Sequence, residues 1–190
     1  MRTMESQKPA DVQKVRDIYH GRVIRVSVDT VRLPNGYVTD LEIVRVPDGA
    51  AVAAIDGSGR VCLLRQYRYV AGGWIWELPA GKVEAGEAPM ATAHRELIEE
   101  AGAQAAQWLS LGSYVSSPGV FSETVHLFLA QGLNSVKMQH ENVELIDVHW
   151  VGLEEACGWA LAGDIRDGKT VLGLLRARAA LAERQNESPP

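Results

Sequence analysis

Residues 81–103 read GKVEAGEAPMATAHRELIEEAGA, and this stretch decides the fold. A polar lead, Glu84-Ala85-Gly86-Glu87, runs into Pro89 and then into a series of helix-forming residues that stops at Gly102. Proline is preorganised for the first turn of a helix and glycine for the residue just past its end, so the spacing predicts a helix over residues 89–101. Each helical residue advances about 100°, which gathers Glu96, Glu99 and Glu100 within roughly a 100° arc. Met90, Ala93, Leu97 and Ala101 occupy the neighbouring arc, so the acidic face borders a buried stripe and lies at a cleft wall. Local helix physics disfavours this arrangement. Like charges three and four residues apart cost roughly 0.2 to 0.5 kcal/mol per pair, and acids near a helix C-terminus oppose the macrodipole. Either a hard cation such as Mg²⁺ compensates, held by carboxylates, waters and substrate phosphates, or the face is a solvated acidic surface partly neutralised by Arg95.

Working outward toward the N-terminus, residues 49–55 and 60–69 are β-like and joined by Asp56-Gly57-Ser58-Gly59, which reads as a hairpin. Before them, residues 22–28 and 38–46 flank Leu33-Pro34-Asn35-Gly36, and Asn-Gly between such runs is a strong hairpin signal. An N-terminal β-subdomain is therefore expected over residues 18–48, preceded by a polar, flexible tail over residues 1–17. Toward the C-terminus, strands are expected at 108–115, 124–133 and 144–151, then a helix at 153–162 stopped by Gly163. A last helix at 170–182 places Val171, Leu174, Leu175, Leu181 and Ala182 within an arc of about 120°, interrupted by Arg178, which must snorkel. Residues 184–190 close in Ser-Pro-Pro and read as a second flexible tail. Mixed strands with helices outside them give an α/β (α+β) sandwich, with one catalytic domain over residues 49–183.

Composition limits the function classes. The 190 residues are 46% hydrophobic and 23% charged, as in an ordinary globular domain. A net charge of −5 opposes binding to a nucleic-acid backbone, which needs a basic face. No apolar run approaches the roughly 20 residues of a membrane span, and residues 1–15 hold no signal-peptide core, so a cytoplasmic protein with no membrane partner is expected. The two cysteines, Cys62 and Cys157, lack paired spacing and read as buried thiols.

The same stretch fits every fixed position of the Nudix box through Gly81, Glu87, Arg95, Glu96, Leu97, Glu99, Glu100, Gly102 and Ala103. The chain resembles the Nudix hydrolases, and the resemblance implies an α/β/α sandwich with a mixed sheet. It further implies Mg²⁺, with Mn²⁺ as a substitute, and water attacking the diphosphate of a small nucleoside diphosphate. Residue by residue, it implies Glu96, Glu100 and Glu99 as metal ligands, Arg95 as the residue that orients the acids, Glu87 as structural, and the backbone carbonyl of Ala80 as a further ligand.

Outside the box, Pro118 lies sixteen residues after Gly102, the position of a proline in the ADP-ribose pyrophosphatase branch, although Pro118-Gly119 also suits an ordinary turn. Trp76-Glu77-Leu78-Pro79-Ala80-Gly81 is similar to the approach to the box in that branch, and Gln66-Tyr67-Arg68 precedes it. Arg68, Glu77 and Pro118 are accordingly expected at the substrate, with the arginine fork on the diphosphate, while Arg65 or Arg68 as a plain exposed strand residue stays open. Trp74 and Trp76 read as base-stacking or as core residues. The branch implies ADP-ribose cleavage to AMP and ribose 5-phosphate, a glutamate base for which Glu144 is in register and Glu141 competes, and a homodimer through the N-terminal sheet. Hydrolysis of another nucleotide sugar such as GDP-mannose is an alternative. A non-catalytic nucleotide sensor is a further one, against which the intact glutamates count.

Overall fold

A computed structural model of the chain describes residues 10–138 and 145–187. They fall into two units, one comprising residues up to 47 with 115–123, the other 48–114 with residues from 124 onward.

The first unit is an antiparallel sheet of β1 (Asp11–His20), β2 (Arg25–Arg32) and β3 (Val38–Arg45), in that order. The expected Asn35-Gly36 turn joins β2 to β3: Leu33 N–H donates to Tyr37 O at 2.8 Å, and the Asn35 side chain accepts from Tyr37 N–H at 3.0 Å. The expectation of a tail as far as residue 17 is corrected, because the chain is strand from Asp11, paired along β2 from Asp11↔Arg32 to His20↔Arg25. Every residue of β1 is exposed, so backbone pairing and not a buried face makes this strand. Ser27 and Asp29 turn inward on β2, and the Arg45 guanidinium bonds to both. Residues 117–121 form a turn in which Val120 and Phe121 N–H both donate to Ser117 O, and Phe121 bridges Val44.

The second unit contains β4 (Gly49–Ala54), β5 (Arg60–Arg68), β6 (Gly73–Glu77), β7 (Ala80–Lys82), α1 (Pro89–Ala101), β8 (Ala103–Val115), β9 (Thr124–Ser135), β10 (Ile146–Gly152), α2 (Leu153–Ala162) and α3 (Gly168–Glu187). Its sheets are ordered β7-β4-β9-β8 and β10-β5-β6, with β4 and β9 parallel. The hairpin expected of β4 and β5 does not form as a ladder. The turn is built as the sequence suggests, with Asp56 accepting from Ser58 and Arg60 N–H, but a single bridge, Ile55↔Val61, follows it. Beyond that bridge the strands part into different sheets, because each buries both faces: Ala50, Val52 and Ala54 of β4 and Cys62 and Leu64 of β5 pack with Ala93, Leu97 and Ala101 of α1. Ala53, Val61 and Leu63 pack with Ala156, Cys157, Leu174 and Ala177 of α2 and α3. A buried strand needs apolar residues on consecutive positions, which is why GAAVAA serves as β4. Helices thus cover the sheets on both sides, the expected α/β/α sandwich, with one buried cysteine in each core.

α1 has the predicted bounds, with Pro89 in its first turn and Gly102 at φ 59°, where a left-handed residue lets its N–H reach Ile98 O and Leu97 O. α3 begins before residue 170 and runs past 184, so the expected C-terminal tail is helical as far as Glu187. Arg178 reaches Glu154 at 3.5 Å from the apolar face of α3. Among the described residues no helix is long and apolar enough to cross a membrane.

Candidate active site

Pairing of β4 with β7, through Ala51↔Ala80 and Gly49↔Lys82, lays Ala80 and Gly81 beside the helix that follows. Because α1 buries Leu97 and Ala101 against β4, the adjacent Glu96 and Glu100 sink to 8% and 4% exposure. Both carboxylates lie on the Ala80–Gly81 backbone. Ala80 N–H donates to Glu100 Oε2 at 2.8 Å, and a Cβ on Gly81 would fall 1.7 Å from Glu96 Oε1, so this position has room for glycine alone while that carboxylate stays in place.

Arg95 collects the remaining acids. Its Nη1 donates to Glu96 Oε1 at 2.7 Å and Glu99 Oε2 at 3.0 Å, its Nε to Glu87 Oε1 at 3.2 Å, and its Nη2 to Lys82 O at 3.2 Å. The bond to Glu87 is the chief cause that raises the arginine's affinity for its proton. Glu87 accepts from Arg95, the Thr92 hydroxyl and Glu84 N–H, which together hold its carboxyl down to about 2. Thr92, a residue that only its hydroxyl one turn into the helix could have signalled, thereby fixes the loop glutamate to α1.

This donor set fits a hard divalent cation. Glu100 brings a carboxylate oxygen to the Ala80 N–H and Glu96 one to the face of Gly81, where the absent Cβ permits the approach, and the Ala80 carbonyl could add a third oxygen donor. Among the described residues no three His, Cys, Asp or Glu side chains converge as a complete cage. Waters and substrate phosphates would complete the shell, as Mg²⁺ coordination usually requires.

A second group stands on the approach to the box. Arg68 and Glu77, both expected at substrate, are bound to each other, with Arg68 Nη2 donating to Glu77 Oε2 at 2.7 Å and Nε reaching both oxygens at 3.2 Å. Lys169 Nζ lies 3.2 Å from Glu77 Oε1 and 3.0 Å from Asp167 Oδ2. Burial alone would raise the Glu77 carboxyl, but hydrogen bonds from Arg68 and the charge of Lys169 outweigh it, and the net shift is downward. Asp167, Lys169 and Thr170 carry no local motif, so nothing in the sequence links them to residues some ninety positions away, as in the 92-residue separation of Leu78 and Thr170.

Of the aromatic candidates, Trp76 packs into the core with Trp159 and His149, and Arg65 lies over its ring at 5.7 Å, on the opposite face of β5 from Arg68. Trp74 stays partly exposed against Tyr67. Pro118 lies in the exposed 117–121 turn of the first unit. Glu141 and Glu144, the two candidates for the base, lie outside the described residues.

The family model for the NUDIX domain matches residues 45–173. A methanol dehydrogenase activator from Bacillus methanolicus is 39% identical over 85% of this chain and 88% of its own length. An ADP-ribose pyrophosphatase from Bacillus subtilis is 36% identical over 92% of this chain and 93% of its own. A crystal structure of an ADP compounds hydrolase superposes with a TM-score of 0.81 at 21% identity, covering 95% of this chain and 98% of that one, which supports the sandwich fold. With its acidic helix, glycine-backed carboxylates and matched domain, the chain belongs to the NUDIX domain family.

Proposed function

We propose that the chain hydrolyses the diphosphate of ADP-ribose to AMP and ribose 5-phosphate, with Mg²⁺ as the metal and Mn²⁺ as a substitute. The observation that carries the reading is the seating of Glu96 and Glu100 on the Ala80–Gly81 backbone beside the acids gathered by Arg95. The relative from Bacillus subtilis, an ADP-ribose pyrophosphatase, supports the substrate. Glu96, Glu100 and the Ala80 carbonyl would hold the metal, with Glu99 as an additional ligand. Such a cation, when bound, neutralises charge developing on the phosphates and acidifies a water.

The protein's own groups do the rest. Arg95 keeps Glu96 and Glu99 oriented, and Glu87 with Thr92 keeps Arg95 in place. Arg68, fixed in plane by Glu77, presents its guanidinium to the diphosphate, a group that matches its donor geometry. Glu144 accepts the proton of the attacking water, with Glu141 as the competing base, while the water oxygen bonds to one phosphorus and the bridging P–O bond breaks. Pro118 is a further substrate-binding residue on this reading, from its register sixteen residues after Gly102. We also propose a cytoplasmic homodimer joined through residues 19–46, since a small sheet is only marginally stable alone; light scattering at micromolar concentration should exclude a 20.7 kDa monomer.

The test is a substrate panel with Mg²⁺ comprising ADP-ribose, other ADP-sugars, GDP-mannose, NADH and nucleoside triphosphates. ADP-ribose should be cleaved with the highest kcat/KM, and efficient turnover of another member with ADP-ribose left intact would overturn the assignment.

A further inference from the structure

Gln66 stands apart from the other polar side chains of the interior. It is 3% exposed, and among the described residues its Oε1 has no hydrogen-bond partner. The other buried polar side chains described in the second unit are all bonded: Glu77, Thr92, Glu96, Glu100 and Thr170. An amide oxygen sealed from water without a donor costs free energy, so a buried acceptor left open calls for a partner from outside the chain. Ser116 Oγ is open as well, but that residue is only partly buried.

Register places this amide. On β5, residues 62, 64, 66 and 68 share one face, and Cys62 and Leu64 pack there with α1. Gln66 follows Leu64 on that face, between Ile146 of β10 and Ile75 of β6, and Arg68 is the next residue along it. Leu64 is paired with Glu77, the residue to which Arg68 is bound. Arg68 therefore starts one step beyond Gln66 and meets its carboxylate one step before it, so the arginine side chain passes the row of Gln66 and Ile75. Two isoleucines flank the position, and an apolar side chain would fill it without an unpaired oxygen. What distinguishes glutamine there is its capacity for hydrogen bonds beside the arginine.

We propose that Gln66 is a specificity-determining residue whose amide oxygen accepts a hydrogen bond from a sugar hydroxyl of the substrate. This rests on the reading of Arg68 as the diphosphate partner and deepens it. Residues two apart on one strand face are separated by about 6.6 Å, so a ligand with its diphosphate on Arg68 brings the groups flanking that diphosphate to Gln66. In ADP-ribose both flanking groups are riboses. An ionised phosphate only accepts hydrogen bonds and cannot satisfy the amide oxygen, whereas a hydroxyl can.

The test compares Gln66→Met with wild type. Methionine keeps an unbranched side chain and removes the acceptor. Its Tm without ligand should rise by about 2–4 °C, because the orphaned oxygen is gone and an apolar group takes its place. With Mg²⁺ present, KM for ADP-ribose should rise roughly tenfold with kcat within about twofold, as for one hydrogen bond lost equally from ground and transition states. Calorimetry with ADP and with inorganic diphosphate, also in Mg²⁺, then locates the donor. An ADP Kd that rises along with KM assigns the adenosine ribose, and an ADP Kd that holds assigns the other ribose. Inorganic diphosphate should bind equally to both proteins in either case. Ile75→Val, on the same row, should lower Tm and leave KM unchanged. Gln66→Leu replaces the methionine variant if that one does not fold.

The proposal is overturned by an unchanged KM, by inorganic diphosphate weakened as much as ADP-ribose, or by a Tm that falls in both Gln66 variants, which would give the amide a partner within the chain. A wild-type protein that binds ADP-ribose without cleaving it fails the proposed reaction, and the Kd for ADP-ribose then decides the role of Gln66 in place of KM. Cleavage of ADP-ribose with KM unaltered in the variants fails Gln66 and leaves the reaction standing.

Discussion

Arg95 and Glu77 stand at the centres of two ion-pair clusters built on opposite plans. Around Arg95 one cation is shared by three carboxylates, Glu87, Glu96 and Glu99, with Glu100 close by on the Ala80 N–H. Around Glu77 one carboxylate is shared by two cations, and the further acid, Asp167, is met by the start of a helix. The first gathers several carboxylates on one arginine, and on the proposed function a cation from outside would complete it. The second is compensated internally and holds backbone and side chains in place. They also differ in reach, since Arg95 and Glu87 are eight positions apart whereas Leu78 and Thr170 are 92 apart. On the proposed function the first would seat a ligand, while the second ties β5, β6 and the start of α3 together.

The contrast breaks most visibly at Glu100. Glu100→Gln should lower kcat on the order of 10³-fold, because it removes a charge from a metal seat worth several kcal/mol in the transition state. Stability should hold, since the amide oxygen can still accept from Ala80 N–H. Mg²⁺ should raise the wild-type Tm by mass action and raise that of the variant far less. A variant with near wild-type turnover at saturating Mg²⁺ would place the seat elsewhere.

Glu77→Gln should act the other way, on stability before chemistry. It leaves Lys169 and Arg68 without their shared anion, at a cost of about 2 kcal/mol, below the figure for fully buried pairs because Arg68 reaches solvent. Urea unfolding measures it, and an unchanged midpoint would mean that the second cluster ties nothing together.

Gly81→Ala sharpens the boundary between the two. The new methyl meets the end of a flexible side chain, Glu96, and not backbone, so the carboxylate swings aside. Unfolding free energy should change by less than about 1 kcal/mol, while kcat falls roughly tenfold from a misplaced ligand. Loss of fold in this variant would count against the seating described.

The smallest effect is a pH dependence. Glu87 has its carboxyl lowered from 4.5 to about 2, chiefly by Arg95. The stability it contributes is therefore fully present above pH 4.5 and disappears as pH falls through about 2. Circular dichroism across that window should show a steeper acid loss in wild type than in Glu87→Gln, and coincident curves would remove Glu87 from the cluster.

What the sequence disclosed follows this division by reach. Pro89 and Gly102 fix the bounds of α1 by local stereochemistry, and Glu96 and Glu99 lie within the same turns as Arg95, so the helix and the grouping of these acids on the arginine were both legible. β1 was not, because a strand exposed along its whole length has no inward face to leave an alternation of apolar residues. The parting of β4 from β5 after Ile55↔Val61 was hidden because turn residues announce a reversal of direction but not which sheet each strand then joins. Lys169 was hidden for a related reason, since its partner is set by where α3 docks and no local spacing encodes that.

The two cysteines turn the layered core into a pair of clocks. Cys62 is pushed up to about 12 by burial, with the Glu100 charge adding to it, and burial raises Cys157 as well. Only the thiolate alkylates, so neither should react with iodoacetamide while its layer is closed, and each rate then reports how often that layer opens. Cys62 sits in the core under α1 and Cys157 in the core with α2 and α3. Following the two modifications separately by mass spectrometry would time the loosening of α1 against that of α2 and α3, in one wild-type protein and without introducing a probe.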